Sequence, residues 1–367
     1  MTDASERHGC YVRDLLALGA NPDGSGAERI TTGDEPGAGR IIELGHAFRA
    51  SRTLLSAVEL GVFTILADGP AEIERLIERA GLHTRGARDF LDALVALDLL
   101  VRDESGRYAN SADADLYLDR RKGSYVGSLL ERFGSRDYAV WDSLTAALRT
   151  GEPQYDQSVV NNFAPLYADA TARELYVRGM TVRTQPVARA LAACFPWNEH
   201  RTLIDVGTAQ GCLPVEIALA HDHIIGGGFD LPALCTTFDE HVQRHGLADR
   251  LRFYPGNFLE EPLPQADVLV LGRVLHNWDL ATKKMLLRKA YDALPRGGRL
   301  IVYERLIDDE RRSNAAGLLS SLQMLLASTG GFDFTGADCM GWMREAGFRE
   351  PQVRPLVEHQ SMVIGQK

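Results

Sequence analysis

The chain has 367 residues, of which 45% are hydrophobic, and carries a formal net charge of −10. This length is enough for two domains, and the negative charge disfavours nucleic acid as a partner, because binding phosphates needs concentrated Lys and Arg. No apolar run reaches the roughly 18 residues of a membrane span, and the N-terminus MTDASERHGC lacks an apolar signal segment. We therefore expect a cytoplasmic protein that does not engage a membrane.

The cysteines predict neither a disulfide framework nor a zinc site. They are scattered, odd in number and form no Cys-x-x-Cys pair: Cys10, Cys194, Cys212, Cys235 and Cys339.

Residues 1–40 are rich in Gly, Asp, Ser and Thr, and only YVRDLLALG has a helical apolar pattern. This composition predicts a mobile extension with at most one short helix.

Residues 41–120 are predicted to form a winged-helix domain. Apolar residues recur at helical spacing from Ile41 to Leu60, and AEIERLIERAG (71–81) and TRGARDFLDALVALDLL (84–100) indicate two further helices. VRDESGRYAN then indicates two short strands around a Ser105-Gly106 turn.

A winged helix raises the possibility of DNA binding. Residues 60–120 contain 7 Lys and Arg against 12 Asp and Glu, a net charge of −5. A ligand-sensing DNA-binding protein thus remains an alternative that charge disfavours.

Residues 121–195 contain several aromatic clusters and are predicted to form a helical linker. Most of these side chains are expected to fill a core between two domains. The sharper hypothesis is that Trp141, Phe163 and Met180 line a flat substrate pocket.

From residue 196 to 367, apolar runs alternate with helical patterns, which predicts a doubly wound α/β domain with its ligand at the carboxyl ends of the strands. Strands are predicted at 202–206, 224–229, 251–254, 267–271, 299–303 and 361–365. Helices are predicted at 213–220, 233–245, 281–293, 314–327 and 336–346.

The stretch TLIDVGTAQG (202–211) is predicted to be the first strand of this domain and a glycine turn across which a cofactor lies. Glycine lets the backbone approach a ligand closely, and the next helix offers unpaired N–H groups. Ala209 stands where a glycine is expected in a dinucleotide fingerprint. Asp230 ends the next predicted strand, where a carboxylate binds a ribose. These features alone fit nicotinamide cofactors and S-adenosylmethionine equally.

Four ordered motifs separate the two possibilities: DVGTAQG (205–211), GGFDLP (227–232), DVLVLGRVLHNWD (267–279) and ALPRGGRLIVYERLIDDE (293–310). Together they resemble class I S-adenosylmethionine-dependent O-methyltransferases of the caffeate, acetylserotonin and bacterial secondary-metabolite group, over roughly residues 40–367. The resemblance implies a Rossmann-like methyltransferase domain over 196–367 and a homodimer formed through the N-terminal winged-helix domain. It also implies S-adenosylmethionine as cofactor and S-adenosylhomocysteine as product.

The resemblance also implies which residues bind the cofactor. Asp205, Gly207 and Gly211 hold its methionine part, Asp230 its ribose, and Asn257 with Phe258 its adenine. The remaining predicted contacts are Leu231, Gly272 and Arg273.

His276, in LHNWD, is the predicted general base, because a histidine near neutral pKa is suited to take a proton from a phenol or enol. In the family, two acids assist this histidine, and Glu304 and Asp333 match their places. Trp278 and Met324 are further predicted substrate contacts, and no metal is expected. His221 and His223 are expected to lie in a solvated loop rather than to bind metal.

Two enzymatic alternatives stay open. One is methylation at carbon or nitrogen, or a reaction in which the cofactor is bound without donating its methyl, because Asn257, Asn277 and Asp333 depart from the family pattern. The other is a nicotinamide oxidoreductase, which explains neither LHNWD nor PRGGRLIVYE. For the O-methyltransferase, the apolar and aromatic content around 125–180 and 314–334 predicts a flat, largely apolar acceptor. The resemblance implies that this acceptor is an aromatic or enolic small molecule of secondary metabolism.

Overall fold

The computed structural model describes residues 37–156, 163–357 and 359–367. The predicted extension therefore lies outside the described residues up to position 36. The described chain forms two compact units, residues 37–139 and residues 140–367.

The first unit is built from short helices and one β-hairpin. Its elements begin with α1 (Gly39–Glu59), α2 (Val62–Leu66), α3 (Ile73–Ala80), α4 (Thr84–Ala96), β1 (Leu100–Arg102), β2 (Tyr108–Asn110) and α5 (Ala112–Leu118). The hairpin pairs Leu100 with Asn110 around the predicted turn. Helix α4 was expected to reach residue 100, which is wrong. It ends at Ala96 because Asp98 adopts a left-handed φ of 57° and Leu100 pairs in the hairpin.

The region from residue 127 to 194 is helical over most of its described residues. It comprises α6 (Gly127–Arg132), a π-helical turn (Phe133–Asp137), α7 (Tyr138–Trp141), α8 (Leu144–Thr150), α9 (Ala164–Ala168) and the long α10 (Ala170–Cys194).

The second unit also contains a seven-stranded sheet, counted over the described residues. Its remaining elements are β3 (Thr202–Val206), α11 (Cys212–Ala220), β4 (Ile225–Asp230), α12 (Cys235–Arg244), β5 (Leu251–Pro255), β6 (Val268–Gly272), α13 (Leu280–Ala293), β7 (Arg299–Glu304), α14 (Ala315–Ala327), α15 (Gly336–Ala346), β8 (Arg349–Pro355) and β9 (Ser361–Gln366). The strand order is β5-β4-β3-β6-β7-β9-β8. Strands β3 to β7 run parallel to one another, and β9 runs in the opposite direction, antiparallel to both β7 and β8.

Sequence patterns indicated every strand of this sheet except β8. Its sequence REPQVRP contains two prolines and is exposed along nearly its whole length. An edge strand of this kind has no apolar alternation, because only β9 pairs with it and little of it is buried.

The sheet is buried between two layers of helices. On one face, Leu286 and Leu287 of α13 pack with Met343 of α15 against the sheet. On the other face, α10 and α11 contribute Leu191 and Leu213. This is why the central strands are continuous apolar runs rather than alternating ones.

The topological switch point of the sheet lies between β3 and β6, because β4 and β5 are added on one side of β3 and β6 and β7 are added on the other. The loops at the carboxyl ends of these strands therefore diverge and leave a crevice. In the part of the chain that the structure describes, no helix is both long and apolar enough to cross a membrane.

Candidate active site

The glycine turn after β3 is tight because several of its residues adopt left-handed backbone angles. Gly207 has φ 79°, and a Cβ there would lie 2.8 Å from a methyl carbon of Val274. Gly211 has φ 85° and precedes α11. Ala209, at the position where glycine was expected, has φ 52° and therefore carries the backbone strain that glycine would avoid.

Asp230 holds this turn against β4. One carboxylate oxygen accepts a hydrogen bond from Ala209 N at 2.9 Å, and the other accepts from Leu231 N at 2.7 Å. Burial raises the pKa of Asp230 to about 6, although these two bonds oppose the shift. Burial likewise raises the pKa of Asp205 to about 7, with the neighbouring Asp230 charge adding to the effect and the Thr208 hydroxyl opposing it.

Two adjoining cavities open at this edge of the sheet, of about 150 Å³ and about 60 Å³. Tyr167, Tyr176, Gly207 and Arg273 line both. The larger cavity brings together the predicted ribose and adenine residues Asp230, Leu231, Asn257 and Phe258, with Phe163 and Trp278. The smaller brings together Asp205, Gly207, Gly272 and Met180.

Aromatic rings form one wall of these cavities. Phe163, Tyr167 and Tyr176 have mutual ring-centroid distances of 6.0, 6.1 and 5.9 Å. Trp278 packs edge-on against Phe258, with centroids 5.9 Å apart. Tyr167 and Tyr176 were not predicted individually as site residues. Their 9-residue separation, on two different helices, gave no periodic pattern that would have distinguished them from core aromatics.

Arg273 follows β6 and lines both cavities. Its backbone has a left-handed φ of 56°, and its N–H donates to Tyr303 O at 3.0 Å. Two guanidinium nitrogens, Nε and Nη1, are buried and donate to no partner among the described residues. Gly272, the residue before Arg273, makes room for the ring of Tyr303, because a Cβ at position 272 would lie 2.1 Å from that ring.

Asn257 lines the larger cavity, but its amide is already engaged locally. Its side-chain oxygen accepts from Leu259 N at 3.0 Å, and its Nδ2 donates to Glu260 at 3.1 Å. One lone pair of the amide oxygen remains for the predicted adenine contact.

His276 lies in a 3₁₀ turn (Leu275–Asn277) after β6 and is buried. Its Nδ1 lies 2.8 Å from Oε2 of Glu304, at the end of β7, and 3.6 Å from Oδ1 of Asp333. Burial lowers the pKa of His276, but the two carboxylates outweigh burial and raise it to about 8. The structure thus brings together the three residues predicted for catalysis. With Nδ1 facing both acids, Nε2 is the ring nitrogen left to exchange a proton.

Gly331 explains how Asp333 reaches the histidine from a distant loop. A Cβ at Gly331 would lie 2.8 Å from the backbone oxygens of both His276 and Asn277, and 2.1 Å from Oγ of Ser328. Only a glycine fits there without displacing these atoms.

Lys283 was missed by sequence reasoning. It lies on α13 with no exposed surface. Its ammonium donates to Trp278 O and lies 3.3 Å from the ring centroid of Phe332. A detectable sequence pattern did exist, since Lys283 falls three, four and seven residues before Leu286, Leu287 and Ala290 on the buried face of the helix.

Trp141 and Met324 are not among the residues lining the two cavities. Trp141 donates to Gln323 of α14 at 2.5 Å, and Gln323 donates to Tyr155 at 3.0 Å, so the 140–156 segment is tied to α14. Met324 is half-buried on the same helix.

His221 and His223 lie in the predicted loop between α11 and β4, and their Nε2 atoms contact the backbone oxygens of Ala192 and Trp197 at 2.8 and 2.9 Å. Asp222 and His223 are exposed and His221 is half-buried, so this is a surface loop as expected. Neither histidine belongs to a group of potential metal ligands among the described residues.

The first comparison is with protein families. A model described as O-methyltransferase domain matches residues 141–349, and one described as O-methyltransferase dimerisation domain matches residues 42–120. The chain belongs to the S-adenosylmethionine-dependent O-methyltransferase family. It is accordingly a methyltransferase with a Rossmann-like catalytic domain, and its match to the dimerisation domain supports a homodimer.

Individual relatives agree with this family. The tetracenomycin polyketide synthesis 8-O-methyl transferase TcmO of Streptomyces glaucescens is 42% identical, over 90% of this chain and 97% of the relative. The N,N-dimethyltransferase OxyT of Streptomyces rimosus is 35% identical, over 86% and 92%. The crystal structure of human N-acetylserotonin methyltransferase in complex with S-adenosylmethionine matches with a TM-score of 0.83 and 26% identity, over 91% of this chain and 99% of that one.

The cavities of this O-methyltransferase fit S-adenosylmethionine chemically. The cofactor carries an ammonium and a sulfonium, which suit the buried carboxylate of Asp205 and the aromatic wall, and its ribose hydroxyls suit the buried carboxylate of Asp230. Its carboxylate suits the two unpartnered guanidinium nitrogens of Arg273.

Proposed function

We propose that this enzyme methylates a hydroxyl of an aromatic or enolic small molecule in secondary metabolism, with His276 as general base. The observation that carries the proposal is the buried arrangement in which Nδ1 of His276 faces Glu304 at 2.8 Å and Asp333 at 3.6 Å. A carboxylate on Nδ1 fixes the tautomer that accepts at Nε2 and stabilises the imidazolium formed there.

When bound, S-adenosylmethionine supplies an electrophilic methyl group: the acceptor oxygen forms the new C–O bond, the C–S bond breaks with its electron pair left on sulfur, and the acceptor's proton passes to Nε2 of His276. The protein's own part is to hold the acceptor in line and to take this proton. General-base catalysis contributes about 10² to 10⁴ in rate, and in-line positioning contributes much of the rest.

Cofactor binding is proposed for the predicted set, with Asp205, Gly207, Gly211, Gly272 and Arg273 around the methionine part. Asp230 and Leu231 bind the ribose, and Asn257 and Phe258 bind the adenine. All of these residues except Gly211 line one or both of the two adjoining cavities, which supports this assignment.

For the acceptor we propose a flat polycyclic or bicyclic phenol. The similarity to TcmO, an 8-O-methyl transferase of tetracenomycin polyketide synthesis, supports an aromatic polyketide as the class. Trp141, Phe163, Met180, Trp278 and Met324 remain proposed substrate contacts. Phe163 and Trp278 also line the larger cavity, which is proposed to hold the cofactor. They would therefore contact only the end of the acceptor that carries the hydroxyl to be methylated.

We also propose that the dimer forms through a winged-helix domain at residues 41–120, joined by a helical region at 121–195 to a catalytic domain at 196–367. Helix α1 supports this, because several large apolar side chains on it are exposed, including Ile41 at 75% and Phe48 at 55%. A groove in the same unit is lined by Phe48, Leu60, Leu82, Phe90 and Tyr138.

A second candidate function is methylation at nitrogen, which the similarity to OxyT favours. Amine acceptors also release a proton after transfer, so His276 would serve either reaction.

We propose that no metal takes part. The ligand atoms of His276, Glu304 and Asp333 lie within 4.8 Å of one another, a spacing that suits a metal ion. However, the buried ammonium of Lys283 acts on both carboxylates and would repel a second cation.

The deciding experiment supplies methyl-labelled S-adenosylmethionine with a panel of hydroxylated anthraquinones, naphthoates and matched amines. We expect labelled product from the phenols, with the methyl located on oxygen by NMR. Turnover should be unaffected by a chelator, and His276→Gln should lose about 10² or more in kcat while binding the cofactor normally. Full turnover by His276→Gln would refute the base assignment, and exclusive label on nitrogen would favour the second candidate.

A further inference from the structure

The catalytic histidine and its two acids are surrounded by groups on three further segments. Lys283 comes from α13, and the segment 330–334 carries Asp333 between Phe332 and Phe334. The thiol of Cys339, on α15, stays neutral because burial raises its pKa, and the charge of Glu304 adds to this shift. Asp279, an exposed carboxylate that caps α13, is the remaining charge that acts on Lys283.

Asp333 is unusual among these groups because its carboxylate is buried and accepts no hydrogen bond from the described residues. Its nearest recorded polar contact is Nδ1 of His276, at 3.6 Å. A buried carboxylate without hydrogen bonds needs a compensating positive charge. While His276 is neutral, that charge has to come from elsewhere.

Lys283 is placed to provide it. Its ammonium is fixed by Trp278 O, two residues after the histidine, and by the face of Phe332, next to Asp333. Phe334, on the other side of Asp333, has its ring centroid 5.7 Å from the same ammonium. The lysine therefore contacts the segments that carry His276 and Asp333, and its charge acts on Glu304 and Asp333.

We propose that Lys283 is a positioning residue that provides the buried counter-charge of the catalytic acid pair and thereby sets the proton affinity of His276. This inference rests on the proposed role of His276 as base. With His276 neutral, two carboxylates face one ammonium. When His276 takes the acceptor's proton, two negative charges face two positive ones, so the buried cluster is neutral in the state that proton transfer creates.

Loss of the ammonium would leave both carboxylates to act on His276 alone. The histidine would then hold its proton more tightly and be neutral, and active as a base, only at higher pH. A Coulomb interaction at this depth is worth on the order of one pH unit in the pKa. Burial lowers the pKa of Lys283 to about 8, so the lysine is mostly protonated at pH 7.

The test is Lys283→Gln, which keeps a donor for Trp278 O and removes the charge. The matched control is Lys284→Gln, one residue along, where the lysine side chain is 40% exposed and pairs with Glu345 at 2.7 Å. Two readouts are needed: the pH dependence of kcat/KM between about 6 and 9.5, and the pKa of the His276 ring, followed by NMR with histidine labelled at Cε1 and assigned with His276→Gln.

We expect the ring pKa and the kinetic pKa to rise together by about one pH unit in Lys283→Gln, with about tenfold loss at pH 7 that recovers near pH 9. Lys284→Gln should leave both unchanged. If Lys283→Gln does not fold, the double variant Lys283→Gln/Asp333→Asn replaces it, because it removes one charge of each sign. The pKa of His276 should stay near the wild-type value in the double variant. In Asp333→Asn alone, the pKa of His276 should fall.

An unchanged ring pKa in Lys283→Gln, or equal loss of activity at every pH, would overturn the inference and leave the lysine a purely structural role. If the double variant titrates like Asp333→Asn alone, the inference fails in the same way. A shifted ring pKa with a pH-independent wild-type rate would instead refute His276 as the base and leave the electrostatic role of Lys283 intact.

Discussion

Glu304 lies closer to His276 than Asp333 does, with its Oε2 2.8 Å from Nδ1 of the histidine. The other carboxylate oxygen of Glu304, Oε1, accepts a hydrogen bond from the backbone N–H of His276 at 3.3 Å. One carboxylate thus orients both the ring and the turn that carries it. Asp333 makes only the longer contact of 3.6 Å.

This difference predicts a ranking of two isosteric variants. Glu304→Gln should lower kcat by about 10² or more, because it removes the charge that orients the ring and stabilises the imidazolium. Asp333→Asn should cost less, about tenfold. Single-turnover rates at saturating cofactor provide the measurement, and an equal or reversed ranking would show that Asp333 is the principal partner.

The raised pKa of His276 predicts the pH dependence of catalysis. A base must be neutral to act, so kcat/KM should rise as pH increases through the value of about 8 and then level off. Initial rates over pH 6 to 10 check this, with cofactor saturating throughout. A rate that falls over the same range would mean that the protonated histidine is the active form.

Cofactor affinity should follow a different pH dependence. Burial raises the pKa of Asp205 to about 7 and of Asp230 to about 6, so both carboxylates become protonated as pH falls from 8 to 5.5. We expect S-adenosylmethionine to bind progressively more weakly over that range, as measured by calorimetry.

Asp230→Asn should weaken cofactor binding by about 10-fold to 100-fold at pH 8 and flatten this pH dependence, because a hydrogen bond to a charged group is worth about 1.5 to 3 kcal/mol. Asp249→Asn, an exposed acid before β5, is the matched control and should bind as wild type. A steep pH dependence that survives in Asp230→Asn would assign the titration to Asp205 alone.

Two glycines predict opposite effects of the same substitution. Gly331→Ala should destabilise the protein by about 1–3 kcal/mol and impair catalysis, since the new methyl meets Ser328 and the backbone of His276. Gly341→Ala, inside α15 with nothing within 4 Å, should stabilise it by about 0.5–1 kcal/mol with normal activity. Thermal unfolding and kcat for each variant test the pair, and equal stability would contradict the close approach at Gly331.

The exposed apolar face of α1 predicts the effect of charge on assembly. Phe48→Asp with Ile42→Asp should convert a dimer to a monomer in light scattering, because buried charges oppose association. Leu219→Asp, on α11 and also exposed, should leave the mass unchanged. A dimer that persists in the double variant would place the interface elsewhere.

The sequence by itself was enough to identify the fold class and the family, and it predicted the loops that form the candidate site. Local patterns carry this information: apolar runs give the buried strands, glycines mark the turn at 207–211, and chemistry-bearing residues follow the strand ends at Asp230, His276 and Glu304. Strand β8 escaped because an exposed edge strand has little apolar pattern to detect.

Tertiary structure decided what depends on contacts between distant segments. The meeting of Asp333 with His276 requires the close backbone approach at Gly331, and Tyr167 and Tyr176 reach one cavity from separate helices. The burial of Lys283 depends on Phe332, which lies far along the chain and packs against its ammonium. Such charges and distances arise only from packing, because no local pattern records which segments meet.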